Sequence, residues 1–217
     1  MNRTKIEWCD YTWNPITGCS AISEGCAHCY AETLSRRFGW TWGQAVFHAK
    51  RLGDPMSAKR PSRIFVCSMG DFFHESVCPG WQVAVQEVMA RCLRHTFLIL
   101  TKRPDTEMIE DSDRSNIWWG VTTENQARFD ERWITLAKSS AGTAFISAEP
   151  LLGPIDLTGA MPDWVIAGPE TGPGARPCNP AWIESLAAQC RAAGIPFFDK
   201  RPGGPCGREW PDERGES

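Results

Sequence analysis

Seven short apolar runs, most of them closed by polar or Gly/Pro punctuation, constrain this chain more than any other feature. They are residues 12–16 (TWNPI), 63–67 (RIFVC), 96–101 (TFLILT), 117–122 (IWWGVT), 144–148 (AFISA), 164–168 (WVIAG) and 195–199 (IPFFD). Near-continuous apolar runs of this length read as strands buried on both faces. Between several of them lie helical patterns. Residues 81–94 (WQVAVQEVMARCLR) place Val83, Val85, Val88, Met89 and Leu93 largely on one face, and residues 126–138 and 180–193 behave similarly. Asn179-Pro180 supplies a helix cap followed by a proline at the first helical position, and Gly194 supplies a stop. Strand alternating with helix argues for a parallel sheet in a single α/β domain spanning 1–217. About six to seven such strands fit a full or partial (β/α) barrel of the TIM type. A doubly wound open sheet is the structural rival, weakened by the lack of a Gly-rich dinucleotide fingerprint after the first strand.

Two stretches break the rhythm. Residues 39–62 are rich in Trp, Gly, Lys and Arg and read as an inserted loop or short helix pair. With Arg63 beside it, this insert carries Lys50, Arg51, Lys59 and Arg60, the densest positive charge in the chain. A solvated loop and a nucleic-acid clamp using Trp40 and Trp42 for stacking are both open readings. Residues 201–217 are Gly/Pro-rich and charged and are expected to form a flexible tail.

Net charge is −3 over 217 residues, so a nucleic-acid partner would have to be held by a local basic patch. No stretch approaches the roughly 20 apolar residues of a membrane span. The opening MNRTKIEWCDYTWN lacks the apolar core of a signal peptide. The expectation is a cytoplasmic protein with no membrane partner, whose ten cysteines point to metal binding more than to disulfides. Cys67, Cys92 and Cys190 lie in apolar patterns and read as small core residues. Cys19, Cys26 and Cys29 cluster as C-x6-C-x2-C in TGCSAISEGCAHCYAE. Three thiols without a fourth at matching spacing suit an iron–sulfur cubane with one iron left open, whereas structural zinc closes a tetrahedron. The alternative is a zinc site completed by His28 or Cys9.

In a parallel barrel, active residues gather at the C-terminal ends of strands. Polar residues follow nearly every run: Ser68, Met69, Gly70 and Asp71; Lys102 and Arg103; Thr123, Glu124 and Asn125; Glu149; Glu170; and Lys200 with Arg201. Each alone reads equally as a solvated loop residue or a helix cap. Together they exceed what packing requires. The segment from Gly168 to Gly174 reads either as a simple turn or as a loop whose exposed backbone approaches adenine or phosphate.

The cysteine loop directly after a first strand is similar to that of radical S-adenosylmethionine (SAM) enzymes, which usually show C-x3-C-x2-C; here the first gap is longer. The segments IEWCDYTWNPITGC, GCAHCYAE, SMGDFFH, LTKRP, WWGVTTENQ, ISAEPLLGPI, DWVIAGPETGPGARP and AGIPFFDK resemble a phage-associated three-cysteine-motif family. The resemblance implies a [4Fe–4S] cluster on Cys19, Cys26 and Cys29 that chelates SAM and, once reduced by a flavodoxin or ferredoxin, releases a 5′-deoxyadenosyl radical. It places His28 at the adenine and Ser68, Met69, Gly70 and Asp71 where a Gly-Gly-Glu-like motif holds the SAM amino group. Thr122, Thr123, Glu124 and Asn125 fall near the ribose or carboxylate, with Gly168 beside the cofactor. Glu149, Glu170, Lys102, Arg103 and Lys200 remain for the substrate. Phage association implies modification, by isomerase, lyase or mutase chemistry, of a nucleic acid base or an amino-acid adduct on DNA, in the host cytoplasm. Two other functions compete: a zinc-stabilised nucleic-acid-binding module, and a metal-dependent nuclease built on Asp71, Glu149 and Glu170.

Overall fold

The computed structural model describes residues 1–105, 115–139, 142–159 and 161–211. Its centre is one mostly parallel eight-stranded sheet. The strands are β1 (Asn2–Arg3), β2 (Tyr11–Trp13), β5 (Arg63–Val66), β6 (Thr96–Thr101), β7 (Ile117–Thr122), β8 (Thr143–Ala148), β9 (Trp164–Ala167) and β10 (Phe197–Asp199). They lie side by side in chain order. All neighbours pair in parallel except β1, which adds to β2 antiparallel. β3 (Ile16–Thr17) and β4 (Val46–Phe47) form a separate antiparallel pair. The first expected strand is therefore two, broken at Asn14-Pro15. Pro15 has no N–H to give to a ladder, and Asn14 turns its side-chain oxygen to Ser68 and Met69 instead.

Helices cover one face. α1 (Tyr30–Phe38) follows the cysteine loop, α2 (Pro79–Arg91) joins β5 to β6, and α5 (Pro180–Ala193) joins β9 to β10. Between β7 and β8 the helical run is α3 (Gln126–Arg128), a π-helical turn (Phe129–Trp133) and α4 (Ile134–Leu136). α5 begins and ends where its caps predict: Asn179 accepts from the Ala181 N–H, and Gly194 takes φ 72°. α2 starts earlier than its apolar pattern because Pro79 opens it. Val85, Val88 and Met89 are buried, but Val83 is 49% exposed and Leu93, beyond the helix end, 72% exposed. No helix among the described residues is long and apolar enough to cross a membrane.

Strand alternation sorts the core into two clusters. Ile64, Val66, Ile99, Trp119, Val121, Ile146 and Val165 pack under the helices. Phe65, Leu98, Trp118, Phe145, Trp164, Ile166 and Phe198 form the other cluster, sealed by Trp8. Gly120 belongs to this second face: a Cβ there would come within 2.3 Å of the Phe145 ring, which covers it. Trp8 lies 4.8 Å from Phe65 and meets Trp164 edge-on at 6.5 Å. Those rings sit on β5 and β9, which a flat sheet would hold about 19 Å apart at roughly 4.8 Å per strand. One indole touching both requires a strongly curled sheet.

Among the described residues β1 and β10 do not pair, so hydrogen bonds do not close the sheet. The chain after β10 spans the seam. Arg208 bridges antiparallel to Phe198 and pairs with Glu7 at 2.9 Å. Trp210 packs on Phe198 with centroids 5.0 Å apart. Residues 201–211 of the expected tail make these contacts; 212–217 lie outside the described residues. The 39–62 insert holds β4 and two short 3-10 turns, Ala49–Arg51 and Asp54–Ser57.

Candidate functional site

The cysteine loop leaves β3 and lies against the loop after β5. Gly18 and Gly70 form a parallel bridge, with the Gly18 N–H donating to Met69 O at 2.9 Å. Gly18, at φ 91°, excludes a side chain, since a Cβ there would stand 2.0 Å from Gln44 O, and Gly70 is tightly packed, with a Cβ falling 3.0 Å from Gly18 O. β5 ends in a tight turn in which Cys67 takes φ 58°, a left-handed conformation that costs about 1–3 kcal/mol for a non-glycine residue. Its buried thiol is pushed up to about 12 and stays protonated. Cys92 and Cys190 are likewise buried.

Asp71 ties the ends of β5 and β6 together. One carboxylate oxygen accepts from Phe73 N–H (3.0 Å) and the Thr101 hydroxyl (2.6 Å). The other accepts from Lys102 N–H (3.1 Å) and Arg103 (3.3 Å). Both oxygens are thus spent on the chain itself, which makes Asp71 a positioning residue in this arrangement. Arg103 carries the link onward. It donates to Cys19 Sγ at 3.5 Å, to Ser20 O at 3.0 Å and to Ser20 Oγ at 2.9 Å. Burial and the Asp71 charge raise the Cys19 thiol to about 11, against the lowering effect of Arg103. Ser20 Oγ also lies 2.9 Å from His74 Nε2. The Ser76 N–H donates to His74 Nδ1, which leaves the ring proton on Nε2, facing Ser20. Ser20 Oγ thus accepts from His74 and Arg103 and donates its own proton to Glu75 Oε1 at 3.3 Å, so His74 is not placed as its base.

The far side of the loop rests on Glu124, which is fully buried. The Ser23 hydroxyl donates to Glu124 Oε1 at 2.6 Å, Lys102 Nζ stands 3.5 Å from the same oxygen, and Arg132 Nη1 donates to Oε2 at 2.8 Å. The π-helical turn brings Arg132 inward beneath the strand end, where it also donates to Thr122 O. Asn125 caps α3 and donates to Glu24, whose carboxyl Arg128 holds down at about 2.

Period-two alternation continues past the strand ends. It sets Lys102, Glu124, Glu149, Gly168 and Lys200 above Leu100, Thr122, Ser147, Ile166 and Phe198, on the face of the second cluster. Lys200 pairs with Glu149. Gly168 stands between them in register, and a Cβ there would lie 2.9 Å from Lys200 Cβ. Ser147 Oγ, Thr123 Oγ1 and Arg132 Nε are buried without a partner among the described residues. His28 Nδ1 lies 2.9 Å from Glu170, and Arg176 grips the same carboxylate at 2.9 and 2.5 Å, holding it down at about 2. Tyr30, the first residue of α1, donates to Ser68 O.

The structure thus joins Cys19 to Asp71 and Arg103, the 23–25 turn to Glu124 and Lys102, and His28 to Glu170. Glu149 and Lys200 form a separate pair. The sequence reading missed Arg132, Arg176, Asn14, Tyr30 and Gly25. Arg132 had a signal, a charge at helical spacing on the apolar stripe of Phe129, Trp133 and Leu136; Arg176, in a Gly/Pro-rich loop, had none.

Three thiols on one loop are the donor type an iron–sulfur cluster takes. All ten cysteines are free thiols, Cys19, Cys26 and Cys29 are partly accessible on one loop, and a guanidinium stands beside the first. Among the described residues no three His, Cys, Asp or Glu side chains are gathered into a ligating set.

A mostly parallel α/β sheet with a polar C-terminal rim and a cysteine loop laid across it defines the class. The chain belongs to the family described as "Protein of unknown function (DUF5131)", which it matches over residues 3–213. No curated protein and no solved structure matches it.

Proposed function

We propose that this protein is a radical SAM enzyme on a partial (β/α) barrel of the TIM type. Its substrate would be a nucleic acid base or an amino-acid adduct on phage DNA, and its electron donor a flavodoxin or ferredoxin. The observation that carries this reading is the position of the three-thiol loop across the C-terminal rim of a parallel sheet, where active residues of such folds gather. Cys19, Cys26 and Cys29 would hold the cluster, which when bound supplies the electron that cleaves SAM.

The chain's own residues position and shield. Arg103 neutralises negative charge beside Cys19 and is itself fixed by Asp71. The buried Glu124–Arg132 pair sets the height of the 23–25 turn. Ser68, Met69 and Gly70 fix the seat of the loop through backbone hydrogen bonds, and His28, held by Glu170, offers a ring face. Lys200 with Glu149 presents a partly exposed cation–carboxylate pair on the inner face and Lys102 a further cation, suited to a zwitterionic or phosphorylated substrate. The aromatic floor beneath them, Trp118, Phe145 and Trp164, excludes water from below. The nuclease reading draws less support, because Asp71, Glu149 and Glu170 each already face a cation of the chain. Anaerobic purification tests the assignment: a brown protein with about four irons per chain is expected, and a colourless protein with one zinc would support the zinc module instead.

A further inference from the structure

α1 starts at the residue after Cys29 and ends on two exposed aromatic rings. Phe38 is 54% exposed, and Trp40, just past the Gly39 cap, is 56% exposed. The rings stack at 5.1 Å with 27° between their planes, and the Arg37 guanidinium lies 5.5 Å from the Phe38 centroid. The pair is held in place by the backbone. Gly39 takes φ 64°, and the Trp40 N–H donates to Ser35 O at 2.9 Å, a helix-end closure that fixes where the indole leaves the chain.

Trp40 also lines a cavity of about 840 Å³ that reaches from the helix end to Ser68 and Met69, the loop against which the cysteine loop is laid. Its walls carry Asn14, Thr17, Tyr30 and His48, with Thr17 Oγ1 2.8 Å from His48 Nε2. That volume falls within the roughly 300–1,000 Å³ of small-molecule sites. Arg51 lines it with exposed Lys50 next to it in the chain, and Arg36, paired with Glu32, and Arg37 stand exposed on the last turn of α1; the carboxylate in the wall, Asp54, is neutralised by the N-terminal amine. In a chain of net charge −3 this is local charge complementarity to a polyanion. Stacked rings with a guanidinium on them and a polar cavity behind suit an unpaired base, whose π-face a duplex keeps covered.

We propose that the Phe38–Trp40 pair is a stacking platform for single-stranded nucleic acid, and that the cavity behind Trp40 receives a neighbouring nucleotide. The nine residues of α1 span about 13 Å, which sets the distance from the platform to the Cys29 end of the helix. The inference deepens the reading above and rests on it only for what then happens to the nucleotide. Binding needs neither cluster nor SAM.

The test is fluorescence anisotropy with a short labelled oligothymidine, its RNA counterpart and the same DNA as a duplex, using the full chain without cluster reconstitution. Single strands are expected to bind about tenfold or more tighter than duplex and to weaken with salt. Trp40→Ala and Phe38→Ala should each weaken binding about tenfold, while Trp40→Phe keeps most of it. DNA against RNA shows which sugar is preferred. Unchanged binding in both alanine variants, or equal binding of duplex, overturns the proposal. So does a concentration-dependent dimer that Trp40→Ala dissolves, which would mark the rings as a self-interface. Loss of SAM cleavage in the wild type with oligonucleotide binding intact would sink the enzymatic reading and leave this one standing.

Discussion

Gly25 lies directly against Glu124: a Cβ on Gly25 would sit 2.2 Å from Glu124 Oε1 and 2.5 Å from its Cγ. The turn between Cys19 and Cys29 can approach the buried carboxylate only because that side chain is missing. Since Glu124 is pinned by Arg132 and Ser23, it cannot retreat. Gly25→Ala is expected to lose about 1–3 kcal/mol in chemical denaturation, as overpacking does. The variant should also retain less iron than the wild type after reconstitution. Wild-type stability and iron content together would contradict this contact.

Arg132 and Glu124 form a buried ion pair whose value lies mainly in not being broken. Arg132→Leu strands a fully buried carboxylate with Lys102 and Ser23 as its remaining partners. The expected loss is about 3 kcal/mol by urea denaturation. Replacing both, Arg132→Leu with Glu124→Leu, should recover much of that loss. A double variant no more stable than the single one would show that the pair itself stabilises the fold.

Arg103 couples Asp71 to the cysteine loop. Arg103→Ala removes donors to Cys19, Ser20 and Asp71 at once, and Asp71 stays buried with backbone donors and Thr101. The predicted cost is about 1–3 kcal/mol, typical of a lost charge-assisted hydrogen bond. Iron retention should fall more than stability does, and Arg103→Lys should restore stability better than it restores iron. Iron content and thermal midpoint, measured on the three proteins side by side, check the order.

The pH dependence of stability should show two steps. His74 is buried and its pKa is depressed by that burial, so the folded state holds it neutral. A base depressed in the folded state costs nothing above its unfolded value, near 6.5, and destabilises as pH falls below it. Glu170 and Glu24 act lower. Arg176 and Arg128 hold their carboxyls at about 2, so their contribution is full above the ordinary value of 4.5 and drains away as pH falls toward 2. Denaturation midpoints of Glu170→Gln and the wild type should differ at pH 7 and converge as the pH drops toward 2. A gap that stays constant across that range would contradict the Glu170–Arg176 pairing.

The sheet was legible because its strands are covered on both faces, so residues 96–101, 117–122 and 164–168 read as unbroken apolar runs. The same property hid which side each residue takes. Nothing in IWWGVT says that Trp118 joins the inner cluster while Trp119 lies under the helices; the register with β6 and β8 decides it. Asn14-Pro15 was read through as strand because its flanks are apolar. The polar rim was legible as residues that follow strands. Its pairings were not, since Glu124–Arg132 depends on a π-helical turn and Glu170–Arg176 on the fold of a Gly/Pro-rich loop. Ser147 was visible only as one small polar residue in AFISA.

The central claim is that three thiols on the rim hold a cluster that opens SAM. Reconstitution under argon with iron and sulfide, followed by SAM and dithionite, tests it most directly. Wild-type protein should form 5′-deoxyadenosine and the Cys26→Ala variant none. Equal product from both, or none from wild-type protein that has taken up its iron, would contradict it.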